Sequence, residues 1–100
     1  MSSTLTLPRL IEIEEIQPEG LKDNERPYIV ILYNDDYHGT EEVTLQLQKA
    51  AGYDQYTAAS VMIEAHLHGR AVAYKGTNLD CEKVASVLRQ IRLQVETDRA

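Results

Sequence analysis

An apolar run that ends abruptly in three polar residues is the clearest pattern in the chain. Residues 28 to 33 are Tyr-Ile-Val-Ile-Leu-Tyr, and Asn34-Asp35-Asp36 follows directly. Bulky and β-branched side chains in one short run are typical of a largely buried strand. Asn and Asp favour turns because their side chains hydrogen-bond to the local backbone. The pattern predicts a strand end held by the core. Taken alone, the polar triplet is most simply a turn.

Three later segments have the period of a helix. Thr40 is a suitable N-cap for the first, which extends to about residue 51, and Asp54 for the second, Gln55–His68. Asp80 is a suitable N-cap for the third. Glycines that can end the first two helices are Gly52 and Gly69. Each predicted helix has apolar positions on one face. They are Val43, Leu47 and Ala50 or Ala51 in the first helix, Ala58, Val61, Met62 and Ala65 in the second, and Val84, Val87, Leu88 and Ile91 in the third.

Two further short segments have strand character. Residues 70 to 75 form an apolar stretch before a Gly76-Thr77 turn, and residues 93 to 97 alternate between apolar and polar. The predicted order is β-α-α-β-α-β, with segments too short for a doubly wound sheet. We therefore expect an α+β fold, in which a three-stranded antiparallel sheet is packed on one side by three helices.

Composition limits the possible functions. The chain has 100 residues, 43% of them hydrophobic, which suits one domain with one core. Sixteen acidic against 10 basic residues give a net charge of −6, and the basic residues are scattered, which disfavours nucleic-acid binding. No apolar run reaches the roughly 20 residues that span a membrane, and no secretory signal is visible. We expect a cytoplasmic protein. The single cysteine, Cys81, excludes an internal disulfide.

The first 26 residues differ from the rest. They contain Pro8, Pro18 and Gly20 and six acidic residues. This composition predicts a flexible acidic N-terminal arm, followed by a folded domain over residues 27 to 100. Within the arm, residues 11 to 14 alternate as Ile-Glu-Ile-Glu, so a short edge pairing or structure induced on binding stays open.

Metal binding and catalysis have weak support. His38, His66 and His68 with Asp35 and Asp36 contain metal-ligand side chains, but positions two apart on a helix project to nearly opposite sides. The adjacent carboxylates usually point apart as well, so a shared catalytic proton is not expected. Possible nucleophiles without a local catalytic signature are Ser60 and Cys81. We expect no cofactor and no enzymatic activity.

The whole arrangement resembles the ClpS family, adaptor proteins of the ATP-dependent Clp protease. The resemblance covers about residues 27 to 97. It rests on the strand with Asn34-Asp35-Asp36-Tyr37, on Val43, on Tyr53-Asp54 with Ala58 and Ala59, on residues 62 to 69, Met-Ile-Glu-Ala-His-Leu-His-Gly, and on Lys83-Val84-Ala85. A helical His-x-x-Gly in register after such a strand is the most specific part.

The resemblance implies an adaptor that captures substrates by their N-terminal residue, the N-degron. By analogy, Asn34, Asp35 and His66 bind the free α-amino group, and Asp36 and His38 contact the peptide backbone. A protonated amine offers three donors, which two side-chain acceptors and an unprotonated imidazole nitrogen can receive. By the same analogy, the pocket for the first side chain is lined by Leu32, Thr40, Val43, Met62 and Ala65.

Several pocket positions depart from the expected family pattern. His38-Gly39-Thr40 stands where such proteins usually carry Thr-Pro-Met, Glu42 replaces an aromatic residue and Ala65 a valine. Smaller and more polar side chains should make the pocket wider and more polar. We therefore expect an altered first-residue preference.

Delivery is the second function that the resemblance implies. Glu82 and Lys83 would face the N-terminal domain of a Clp unfoldase of the ClpA or ClpC type, and the arm would serve as the delivery tail. The partners expected are this unfoldase and N-degron peptides, with the adaptor as a monomer. One alternative is a regulator that docks on the unfoldase without binding N-degrons, and another is a small metal-dependent enzyme.

Overall fold

A computed structural model describes residues 26–100. The expectations about the N-terminal arm, including the alternating segment at residues 11 to 14, lie outside these residues. The six elements are β1 (Tyr28–Tyr33), α1 (Thr40–Ala51), α2 (Gln55–His68), β2 (Arg70–Gly76), α3 (Asn78–Arg89) and β3 (Val95–Arg99). Their order, β-α-α-β-α-β, is the predicted one. Among the described residues, no helix is long and apolar enough to cross a membrane.

The apolar run at residues 28 to 33 is the central strand of the sheet. The strand order is β2-β1-β3 and both pairings are antiparallel. Val30 and Leu32 on β1 are almost completely buried, while the alternate side chains are half-buried. This alternation indicates that the helices cover one face of the sheet. The predicted fold class is confirmed.

The three helices form one layer, and each packs against a different set of elements. α3 packs against all three strands, α2 packs against β2 and α1, and α1 packs against α2 and α3. Cys81 on α3 is completely buried, as are Leu47 on α1 and Ala58 on α2. The free thiol is therefore a small core residue of a helix.

A β-bulge in β2 gives the helix layer a polar anchor. Val30 pairs with Tyr74 but Ile31 pairs with Val72, so Ala73 is the extra residue. The Ala73 carbonyl accepts a hydrogen bond of 2.6 Å from the hydroxyl of Tyr53, in the α1–α2 connection. Burial raises the pKa of the Tyr53 hydroxyl, so the group stays protonated and donates.

Three predicted element ends are wrong by one to three residues. α1 begins at Thr40 itself, with Gly39 as the N-cap. The N-cap of α3 is Thr77, whose hydroxyl accepts from the Asp80 amide, so Asp80 lies in the first turn instead. Both residue types suit a cap, and the local pattern does not distinguish them. β3 begins at Val95, because Leu93 belongs to the loop before it.

Two further predictions are wrong at the C-terminal side of an element: β3 extends to Arg99 rather than to residue 97, and Ile91, predicted on the third helix, lies in the loop after α3. The remaining predicted boundaries agree closely with the structure. The Asp54 side chain accepts a hydrogen bond from the Thr57 amide at the start of α2. Gly52 and Gly69 end α1 and α2 in the left-handed conformation, with φ of 72° and 89°. Left-handed backbone is unfavourable for residues with a Cβ atom, which explains glycine at both positions.

Candidate functional site

A pocket of about 270 Å³ opens where β1 ends and α1 begins. The C-terminal part of α2 and the α3–β3 loop complete its wall. The lining residues are Leu32, Tyr33, Asn34, Asp35, Asp36, His38, Gly39, Thr40, Val43, Met62, Ala65, His66 and Leu93. All ten residues that the sequence assigned to amine, backbone and side-chain binding line this single pocket. Their roles stay predictions.

The inner part of the pocket is apolar. Leu32, Ala65 and Leu93 are 1%, 3% and 4% exposed, and Val43 and Met62 are half-buried against the same core. These side chains come from the central strand, from α1 and α2, and from the α3–β3 loop. The arrangement offers a floor against which an apolar group can be shielded from water.

Asn34 and His66 stand at the polar rim of the pocket. The Asn34 backbone amide donates to the Gly69 carbonyl at 2.9 Å, which joins the end of β1 to the end of α2. His66 lies one helical turn before Gly69 and is exposed. Within residues 26–100, no hydrogen-bond partner is found for the Asn34 amide group or the His66 ring. Both groups are therefore available to a ligand.

Asp35 organises the turn that carries the rim. One of its carboxylate oxygens, Oδ1, accepts from the amides of Tyr37 and His38, both at 2.9 Å. Burial alone would raise the pKa of Asp35, but these amides and the His38 side chain together hold it below its usual value. The carboxyl group is thus ionised at neutral pH and held in one orientation.

His38 bridges the turn and a distant loop. Its Nδ1 lies 2.7 Å from Oδ2 of Asp35, and its Nε2 lies 2.5 Å from the Ile91 carbonyl oxygen. The Ile91 carbonyl and then the Asp35 carboxylate raise the pKa of His38, and burial opposes them less strongly. A ring-mediated contact between His38 and a bound peptide would have to break one of these bonds.

The remaining predicted residues lie in two places. Asp36 and Thr40 are exposed at the rim of the pocket. Glu82 and Lys83 are exposed on α3 and do not line the pocket. Glu82 Oε2 accepts a hydrogen bond of 3.1 Å from the Thr97 hydroxyl on β3. The α3 surface is therefore separate from the pocket surface.

Three lining residues were not predicted as site residues: Tyr33, Gly39 and Leu93. Tyr33 and Gly39 adjoin predicted residues in sequence, so proximity along the chain could have indicated them. The sequence predicts Leu93 in the last strand. No local signal places it in the same pocket as Asn34, because the two residues are 59 positions apart in the sequence.

The chemistry of the pocket suits a cation attached to an apolar group. The ionised Asp35 carboxylate stands above an apolar floor, together with the Asn34 amide oxygen and the His66 imidazole, for which residues 26–100 offer no hydrogen-bond partner. Such groups can accept hydrogen bonds from an ammonium group, and the carboxylate adds opposite charge. Among residues 26–100, no three side chains of the metal-binding types converge on a common point.

Comparisons with known proteins agree with this description. The family model for the ATP-dependent Clp protease adaptor protein ClpS matches residues 23–96. The ClpS adapter protein of Sodalis glossinidius is 43% identical over 70 residues, which are 67% of this chain and 65% of that protein. The ClpS adapter protein of an Escherichia coli O127:H6 strain is 37% identical over 65 residues, 62% of this chain and 61% of that protein. The matched segment thus spans slightly less than two thirds of these relatives.

A solved structure has the same fold. The chain superimposes on Agrobacterium tumefaciens ClpS2 bound to L-phenylalaninamide with a TM-score of 0.70 and 28% sequence identity. The match covers 75% of this chain and 98% of that one. Since the family model covers most of the chain and the relatives carry the same name, this chain belongs to the ClpS family of Clp protease adaptors.

Proposed function

We propose that this ClpS-family protein binds the free α-amino group and the first side chain of N-degron substrates and delivers them to a Clp unfoldase. The observation that carries the proposal is the placement of Asn34, Asp35 and His66 at the rim of one apolar pocket. The ligand in the A. tumefaciens ClpS2 structure, L-phenylalaninamide, combines a free amine with an apolar ring. The pocket of this chain suits the same combination.

Three groups would share the amine. The Asp35 carboxylate keeps one acceptor position, on Oδ2, that its turn does not use, because a carboxylate has about four such positions and three are occupied. The Asn34 amide oxygen and an unprotonated nitrogen of His66 would accept the other two hydrogens. An acetylated N-terminus has no positive charge and fewer donors, so it should be rejected.

The expected affinity is moderate. Burying a Leu or Phe side chain contributes about 1.5–3 kcal/mol, and each of three charge-assisted hydrogen bonds contributes about 1.5–3 kcal/mol. Association costs at least about 4 kcal/mol, so at best about 8 kcal/mol remains. This corresponds to micromolar binding at best, which suits an adaptor that must release its cargo.

Delivery would use the α3 surface and the N-terminal residues. Glu82 and Lys83 would contact the N-terminal domain of a ClpA- or ClpC-type unfoldase, and the first 26 residues would be the delivery tail. With such a partner, the protein would work in the cytoplasm. It would act as a monomer, and as an adaptor it would have no enzymatic activity of its own.

Peptide binding measured by fluorescence anisotropy tests the proposal. We expect micromolar binding of a Leu- or Phe-first peptide with a free N-terminus, and a loss of at least about tenfold on acetylation, since one charged hydrogen bond accounts for that factor. Asp35→Ala should abolish binding. Equal binding of free and acetylated peptides would overturn amine recognition. If the wild-type protein bound neither free nor acetylated peptides and Asp35→Ala still modulated the unfoldase as wild type does, the protein would instead be a regulator without N-degron binding.

A further inference from the structure

His38 occupies a position at which this chain departs from its family pattern, and its ring lies between two hydrogen-bond acceptors. Nδ1 is 2.7 Å from the Asp35 carboxylate and Nε2 is 2.5 Å from the Ile91 carbonyl. A carbonyl and an ionised carboxylate have no hydrogen to donate. Each ring nitrogen must therefore carry its own hydrogen, so the bridge requires the imidazolium form of His38.

The bridge fixes both the rim and the floor of the pocket. On one side it holds Oδ2 of Asp35, whose Oδ1 is already held by two backbone amides. On the other side it holds Ile91, two residues before the buried floor residue Leu93. The Asp35 and His38 side chains are only 17% and 13% exposed, so the pair is largely shielded from water. The one acceptor position of Asp35 that these bonds leave, on Oδ2, is consequently held in one direction.

We propose that His38 is a positioning residue for amine binding, which in its protonated form orients the Asp35 carboxylate and ties the rim to the loop that carries Leu93. The inference rests on the proposed function, because it concerns the affinity of the same pocket. Loss of one proton removes one of the two ring donors, so that a ring lone pair then faces either the Asp35 carboxylate or the Ile91 carbonyl. The turn then loosens, and amine affinity falls as His38 deprotonates.

The charges around His38 come from several elements. Asp35 lies in its own turn, Glu42 lies on α1, and Asp36 and His66 line the same pocket. The α3–β3 loop contributes the Ile91 carbonyl to the ring, and the neighbouring Arg92 is exposed. Asp35 and Glu42 favour the imidazolium. A bound ammonium repels it, so the positioning effect and this repulsion have opposite signs in a binding measurement.

The experiment compares dissociation constants of a Leu-first peptide for wild type, His38→Ala, His38→Gln and His68→Ala between about pH 6 and about pH 9, where histidine titrates. Dividing by the wild-type value at each pH cancels the pH effects that all variants share, such as titration of the peptide amine. We expect His38→Ala to weaken binding about tenfold near pH 6 and about twofold or less near pH 9, the range expected for loss of one charged hydrogen bond. His38→Gln should restore part of the affinity, because its amide still donates.

His68 is the matched control, since it is exposed on α2 and does not line the pocket. His68→Ala should bind as wild type does at every pH. A wild-type affinity for His38→Ala, a tighter affinity, or a loss of constant size at every pH would overturn the positioning role. If wild type itself failed to bind free N-termini, the proposed function would fail, and this inference with it.

A second measurement does not depend on peptide binding. Nitrogen-15 chemical shifts of the imidazole rings, recorded on the peptide-free protein, report which nitrogens carry hydrogen. We expect both nitrogens of His38 to carry hydrogen at neutral pH. A single neutral tautomer of His38 at neutral pH would overturn the inference, even if peptides bind and even if His38→Ala does not fold.

Discussion

At the residue scale, the polar side chains of the pocket divide into two kinds. The Asp35 and His38 side chains are hydrogen-bonded within the chain, whereas the Asn34 and His66 side chains have no hydrogen-bond partner among the described residues. The first pair stabilises the turn in the absence of a ligand. The second pair gains partners only when a donor enters. This division predicts that substitutions in the first pair change both stability and binding, and that substitutions in the second change binding alone.

The His38–Asp35 pair should make stability depend on pH in a defined window. The pKa of His38 is raised on folding, so its contribution is complete below about pH 6.5 and is lost as pH rises through the raised value. The pKa of Asp35 is lowered, so its contribution is present above about pH 3.9 and is lost as pH falls through the lowered value. His38→Ala should therefore lower the free energy of unfolding most near pH 5, by about 1–2 kcal/mol, as measured by urea denaturation. A cost that does not vary with pH would contradict this linkage.

Ala65 should determine which first side chains fit. Replacing it with the valine expected for the family adds two methyl groups to a floor position that is 3% exposed. We expect Ala65→Val to weaken binding of Ile- and Val-first peptides about tenfold, and of Leu-first peptides less, because branching near the backbone meets the added methyls. Fluorescence anisotropy with a panel of Leu-, Phe-, Tyr-, Trp-, Ile- and Val-first peptides measures this change in first-residue preference. Ala59→Val, on the same helix outside the pocket, is the control, and an unchanged preference would contradict the prediction.

At the element scale, the pocket depends on how the ends of β1 and α2 are joined. β1 is paired on both sides, so its last residues cannot move without disturbing the sheet. The Asn34 amide continues this pairing to the Gly69 carbonyl, immediately after α2. Gly69 is in the left-handed conformation that reverses the chain into β2. Asn34 and His66 are thus held at neighbouring element ends by backbone geometry.

Tyr53 should contribute to the stability of the layer that carries α2. Its hydroxyl donates to the carbonyl of the bulge residue Ala73, and its half-buried ring packs on the core. Tyr53→Phe removes the donor, and we expect it to lower the free energy of unfolding by about 1–2 kcal/mol. Urea denaturation measures the change. Tyr56→Phe is the control, because Tyr56 is 78% exposed and should change stability by less than about 0.5 kcal/mol. Equal effects of the two variants would disprove the role of this hydrogen bond.

At the scale of the whole molecule, the two proposed contact surfaces lie on different elements. The pocket is formed at the end of the central strand, whereas Glu82 and Lys83 lie on the exposed side of α3. An adaptor needs to hold its cargo and its unfoldase at the same time. Separate surfaces permit this, and they allow each function to be removed by itself.

Lys83→Glu should therefore abolish delivery without affecting capture. A reversed charge at the proposed docking surface opposes association by like-charge repulsion. We expect unchanged peptide affinity and a loss of about tenfold or more in the rate at which an unfoldase–protease degrades an N-degron reporter. Asp35→Ala should have the opposite effect: the variant should still dock on the unfoldase but should not capture the reporter, so the reporter is not degraded. Loss of peptide binding in Lys83→Glu would show that the surfaces are coupled.

The sequence by itself determined the elements and most of the pocket residues. The bounds of β1, the Asp54 cap and the two terminal glycines follow from local chemistry, because side-chain period, capping and left-handed backbone are properties of short segments. The site residues of the ClpS resemblance were named because they stand in short motifs. The start of β3 could not be found, because pairing with β1 determines which residues of an alternating run form the strand.

Only the tertiary structure decided how these residues act on one another. It placed Leu93 in the pocket floor and set the Ile91 carbonyl against His38, which is 53 positions away in the sequence. A backbone carbonyl has no sequence signature, so the protonated bridge of His38 was not predictable from the chain. The polar triplet after β1 is still a turn, but packing divides it into a free amide and a carboxylate already held in place. Packing can do so because contacts between distant segments depend on the whole fold, and no local pattern records them.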